Sequence, residues 1–146
     1  VKFRLLQQAS GLSINNITML KIPKKHLEIF YLTLKGTEGE LTLSEGRIRD
    51  NFMKPLGEAY ETFVKERTAI YEEFCDKDKD GKPDIADGNY HFSKKVTAKV
   101  NKELTTLFDE EVELKETKGL KEIVERTQYK PKVGEAEVID EILAKL

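Results

Sequence analysis

The sequence predicts a mainly α member of the α+β class. The expected layout is a long antiparallel helical hairpin with a small β-hairpin at its tip, then a short strand and a C-terminal helix. Three observations predict it. Apolar residues recur at steps of three and four from Ile48 to Phe74, and again from Val96 to Phe108. A polar connector, Asp76 to Phe92, separates the two stripes and is rich in turn dipeptides. After Asp109 the period shortens to the alternation Val112-Glu113-Leu114-Lys115.

At 146 residues the chain is read as one domain, 1–146. Within it, 1–22 reads as an N-terminal extension, 44–109 as the hairpin, and 110–146 as the closing strand and helix. Met19 also fits an internal start, which would leave the first eighteen residues as the extension. Hydrophobic residues make up 38% and charged residues 36%. That balance suits elongated helices that each bury one stripe, not a sphere with a deep interior. The formal net charge of −2 supplies no drive toward nucleic acid or an anionic membrane. A lone cysteine, Cys75, excludes an intrachain disulfide and a Cys-rich zinc site. No apolar run approaches the roughly 20 residues that span a bilayer.

Taken in order, Val1 to Leu5 alternates like a strand, and Ile14 to Ile22 reads as a short strand or an irregular packed segment. Pro23 fits the first position of a helix, where its missing N–H costs nothing. Leu27, Phe30, Tyr31 and Leu34 form one face of that helix, and Gly36 is its expected stop. Leu41 to Leu43 reads as a brief extended piece. Thr42 and Glu45 have capping-box spacing and open the long helix. Its stripe is Ile48, Phe52, Leu56, Ala59, Phe63, Ile70 and Phe74, with a kink expected before Pro55. Ser93 is the expected cap of the return helix, whose stripe is Val96, Val100, Leu104, Leu107 and Phe108. A connector this short makes the two helices pack antiparallel, stripe to stripe. Leu120 to Val124 fits a short helical turn. Val138, Ile139, Ile142, Leu143 and Leu146 form the apolar face of a last helix that packs back on the bundle.

The connector holds the one motif with specific chemistry. Asp76, Asp78, Asp80, Asp84 and Asp87 fall at positions 1, 3, 5, 9 and 12 of a calcium loop, with Gly81 at position 6 and the Lys82 carbonyl at position 7. Calcium takes six to eight oxygens, and alternate side chains in a tight loop converge on one point. The competing reading is a β-hairpin without metal: Lys82 to Ile85 and Asn89 to Phe92 as strands, with Asp80-Gly81 and Asp87-Gly88 as turns. Aspartate in place of glutamate at position 12, and Pro83 within the loop, favour the hairpin.

Weaker candidates surround it. Cys75 and His91 flank the connector as a thiol and a base would, but no third, orienting residue is evident. His26 reads as solvated among lysines. The basic cluster Lys94, Lys95, Lys99 and Lys102 reads as a solvated helix face. Tyr60, Val64 and Tyr71 widen the long helix's apolar face beyond what one partner helix covers. They are either an interaction surface or are buried beneath the first and last helices.

Glu66 to Phe74, Asp78-Lys79-Asp80-Gly81-Lys82-Pro83, Gly88-Asn89-Tyr90 and Glu110 to Leu114 together resemble a family of small tailed-phage proteins. In that family long helices flank a "KDxDGKP…GNY" connector and an "EVEL" strand. The resemblance runs from about Leu20 to the carboxyl terminus. It implies phage origin and a prefoldin-like helix–hairpin–helix shape, and it supplies no catalytic or cofactor residue. The expectation is a non-catalytic protein-interaction module without a cofactor, a virion or assembly component of virion or host cytoplasm. Its partner would be another protein or itself, not nucleic acid or membrane. Two alternatives stand beside it: a calcium-stabilised module built on the five aspartates, and a phage inhibitor of a host enzyme or defence system.

Overall fold

The computed structural model describes residues 19–146. The strand expected at Val1 to Leu5, and the apolar Ile14 and Ile17, lie outside them. The chain runs β1 (Met19–Pro23), a 3-10 turn (Lys24–His26), α1 (Leu27–Lys35), α2 (Leu43–Phe74), β2 (Ile85–Ala86), β3 (Asn89–Tyr90), α3 (Lys94–Asp109), β4 (Glu111–Lys115), α4 (Leu120–Val124) and α5 (Glu135–Lys145). The mainly α, α+β class is the one expected.

The 32-residue helix α2 is the axis of the fold, about 48 Å long. Its capping box forms in full. The Glu45 N–H donates to the Thr42 hydroxyl at 3.2 Å, and the Thr42 N–H donates to the Glu45 carboxylate at 3.0 Å. The helix therefore begins at Leu43, which overturns the extended piece expected at Leu41 to Leu43. It runs unbroken through Pro55, whose ring lies on the exposed side.

Phe52, Leu56 and Phe63 carry the α2 stripe into the core. Phe30 of α1 meets Phe52 with ring centroids 5.5 Å apart. Phe63 meets Phe108 of α3 edge to face at 5.7 Å. The hairpin closes where the stripes place it, with Val100 and Leu107 buried on α3. Leu120, Ile123 and Val124 of α4 complete the same core. The last helix packs on α1 and β1, burying Ile142.

A two-stranded antiparallel sheet joins β1 to β4, the strand that follows α3. Leu20 pairs with Leu114 and Ile22 with Val112. Leu20, Ile22 and Leu114 face inward, while Met19, Lys21, Glu113 and Lys115 face out. Leu20 and Ile22, within the segment 1–22 read as an extension, are thus core residues.

Gly36 ends α1 as expected, with φ −68°, an ordinary helical value. Two local expectations are corrected. Pro23 is not the first residue of α1. It ends β1 with extended backbone, opposite Glu111, and a 3-10 turn intervenes. Ser93 occupies the cap position of α3, but its hydroxyl makes no capping bond. Its carbonyl instead accepts from the Thr97 hydroxyl at 3.0 Å.

Lys24 clamps three elements at their meeting point. Its ammonium donates to Glu66 of α2 at 2.9 Å and to Glu110, which follows α3, at 2.7 Å. Burial works against the charge, but the hydrogen bonds and charges of Glu110 and Glu66 outweigh it and raise the Lys24 pKa. Among the described residues, no helix is long and apolar enough to cross a membrane.

Candidate functional site

The connector between α2 and α3 folds as two successive tight turns. Asp87 and Gly88 have φ of 54° and 78° and join β2 to β3, a pair of positive values that marks a type I′ hairpin turn. Asp tolerates this region better than most side chains, and Gly is unhindered there. The first turn is organised by Asp78. Its Oδ1 accepts from the N–H groups of Asp80 at 2.8 Å and Lys82 at 3.0 Å. The Asp78 N–H donates to the Lys82 carbonyl at 2.8 Å, and the Asp84 N–H to the Asp76 carbonyl at 2.8 Å. A bridge links Lys77 to Pro83. The strands are shorter than the expected Lys82–Ile85 and Asn89–Phe92, because the Asp78 turn takes up residues that the first strand would have used.

This arrangement places the calcium-loop residues without joining them. Asp76, Asp78, Asp80, Asp84 and Asp87 are all exposed. One Asp78 oxygen and the Lys82 carbonyl, two of the ligands a cation would need, hold the turn together. Among the described residues, no group of three or more His, Cys, Asp or Glu stands close enough to hold a metal ion.

Cys75 is buried at the end of α2. Its sulfur lies 3.3 Å from the Lys77 ammonium and donates to the Glu72 carbonyl at 3.6 Å. The Lys77 ammonium donates to the same carbonyl. His91 is exposed and joins this end of the helix through its backbone carbonyl, which accepts from the Asp76 N–H at 2.7 Å. The sulfur's partners are thus Lys77 and Glu72, and the imidazole is not among them.

His26 departs from the solvated expectation. It is half-buried between the 3-10 turn and α1. Burial lowers its pKa; Glu141 opposes that shift, and Lys25 and Lys145 add to it. Lys94, Lys95, Lys99 and Lys102 are exposed on α3, with Lys99 5.3 Å from the centre of the Phe74 ring.

Tyr60, Val64 and Tyr71 meet three different fates along one face of α2. Tyr71 is covered by the tip, with Tyr90 at 5.5 Å and Phe92 at 6.1 Å between ring centroids. Tyr60 lies against Tyr31 of α1 at 6.1 Å, and its hydroxyl donates to Glu28 at 3.1 Å. Burial, then the Glu28 carboxylate, raises the Tyr60 pKa. Val64 sits between these two covered points, half-buried, with neither α1 nor the tip closing over it.

The result is a groove along the outer side of α2. One hollow of about 470 Å³ is lined by Tyr31, Lys54, Gly57, Glu58, Tyr60 and Glu61. A second of about 260 Å³ continues it along Tyr60, Glu61, Val64 and Lys65. Of the lining residues the sequence reading singled out Tyr60 and Val64 and missed the others, Tyr31 and Gly57 among them. Gly57 carried a readable signal, since glycine inside a helix costs roughly 0.5–1 kcal/mol relative to alanine and marks close approach or an opening. A β-carbon there would lie 3.8 Å from the Tyr31 ring.

Comparison with protein-family models, curated proteins and solved structures finds no match to this chain.

Proposed function

We propose that the chain is a non-catalytic protein-interaction module that receives a protein partner, or another copy of itself, along the outer face of α2. The observation that carries this reading is the open groove from Gly57 to Lys65, where Val64 and the outward edges of Tyr31 and Tyr60 are half-buried, with no element of the described residues across the groove. Tyrosine presents a large apolar surface at low entropic cost and is enriched at contact sites. The charged rim of Lys54, Glu58, Glu61 and Lys65 suits a polar margin around an apolar centre. The resemblance of the connector and the Glu110–Leu114 strand to tailed-phage proteins sets the proposal in a phage, as a virion or assembly component.

The test is photo-crosslinking in infected cells. A benzoylphenylalanine at position 64 is expected to capture a discrete protein, and one at the exposed Thr105 of α3 is not. No adduct at 64, or the same adducts at both positions, would count against the groove.

A further inference from the structure

We propose that a second copy of this chain occupies the groove, with its α2 antiparallel to the first. Glu61 then faces the partner's Lys65, and Lys54 faces the partner's Glu72. The inference rests on the groove being an interaction surface and names what enters it.

Charge complementarity carries the inference. Lys54, Glu58, Glu61, Lys65, Thr68 and Glu72 follow one another at alternating steps of four and three, so they form one straight ridge along α2. The ridge flanks the apolar floor of Gly57, Tyr60 and Val64. An isologous contact between antiparallel helices places the same flank of each side by side, and reverses the sequence about its midpoint. On this ridge Lys54 and Glu72 are equidistant from Phe63, as are Glu61 and Lys65. One register therefore satisfies both pairs, and the two-fold axis generates each pair twice.

The charges are available for this use, Glu72 through the carboxylate oxygen other than the one that accepts from the Tyr90 hydroxyl at 3.3 Å. Lys54, Glu58, Glu61, Lys65 and Glu72 are exposed. The competing use of these charges is pairing within the helix, Lys54 with Glu58 and Glu61 with Lys65 at i, i+4. Among the described residues neither pair forms an ion pair, nor does any of the five with another element. The ion pairs that do form draw on other residues, such as Lys24 with Glu66 and Lys25 with Asp109.

Sedimentation of the full chain at low and high salt tests the register. Wild type is expected to dimerise, more weakly as salt rises. Glu61→Lys and Lys65→Glu each turn two symmetric attractions into repulsions, which at exposed positions amounts to about tenfold or more in the dimerisation constant. Mixing the two variants sets the introduced lysine of one against the introduced glutamate of the other. The native Lys65 of the first then faces the native Glu61 of the second, so both contacts are attractive again. The mixture is expected to return a heterodimer of wild-type affinity. Circular dichroism of each variant should match wild type, since both positions face solvent. A wild type that stays monomeric at about 1 mM, or a mixture no tighter than either variant alone, overturns the proposal. If position 64 still captures a different protein, the groove keeps its role and only the second copy is rejected. If position 64 captures nothing, the groove reading fails as well.

Discussion

A β-carbon on Gly36 would stand 2.8 Å from the Thr127 hydroxyl oxygen and 2.9 Å from the Tyr129 backbone nitrogen. Glycine is needed here for approach, not for a left-handed backbone. The segment following α4 docks across the end of α1 and satisfies its free carbonyls. The Thr127 hydroxyl donates to the Thr33 carbonyl at 2.6 Å, and the Gln128 N–H to the Gly36 carbonyl at 3.1 Å. Gly36→Ala should therefore lower stability by about 1–3 kcal/mol through overpacking, read by chemical denaturation. An alanine variant as stable as wild type would show that this segment does not seat there.

The tip is fastened to the hairpin by Tyr71. Its ring packs against both Tyr90 and Phe92, and the Tyr90 hydroxyl donates to Glu72 at 3.3 Å. Tyr71→Ala should cost about 2–3 kcal/mol, and the loss should be local. Amide exchange of Asp76 and Asp84, whose N–H groups hold the two turns, should quicken more than that of residues around Leu56. Uniform acceleration along the chain would mean that the tip and the core unfold as one unit.

The helices were legible because each announces itself locally. The Thr42–Glu45 box and the Ile48 to Phe74 stripe need no knowledge of the rest of the chain, and the two stripes alone require a hairpin. The pairing of β1 with β4 was not legible. Leu20 and Leu114 alternate with polar neighbours, but nothing in either segment names a partner more than ninety residues away. Tyr71 was read as either an interaction surface or buried beneath the first and last helices; that the tip covers it depends on how the connector turns. The acidic connector shows the same limit. Its spacing reports where charges occur along the chain, but the carboxylate of Asp78 points at its own backbone, as short Asp side chains in turns do.

That backbone role separates Asp78 from a calcium ligand experimentally. Asp78→Ala removes the acceptor of two N–H groups and should lower stability by about 1 kcal/mol, equally with and without calcium. Calcium at about 10 mM, above the range of the weakest calcium modules, should leave the wild-type melting temperature unchanged. A rise with calcium that disappears in Asp78→Ala would restore the cation reading of Asp76, Asp78, Asp80, Asp84 and Asp87.

The Lys24 clamp sets an alkaline limit on stability. Its side chain is 15% exposed, while Glu66 and Glu110 keep 41% and 50% of theirs in contact with water. Lys24→Met should cost about 1–2 kcal/mol near neutral pH, because the carboxylates left behind remain partly solvated. The folded-state pKa of Lys24 is raised above the unfolded value of roughly 10.4. The charged form is thus favoured by folding, and its contribution is complete below the unfolded pKa. It is lost as pH rises through the folded pKa. The stability difference between wild type and Lys24→Met should stay level from pH 6 to about 10 and shrink above that. Taking the difference cancels the titration of the other lysines and tyrosines. A difference that grows with alkalinity would show that Lys24 is held uncharged in the fold, and that Glu66 and Glu110 do not bind it.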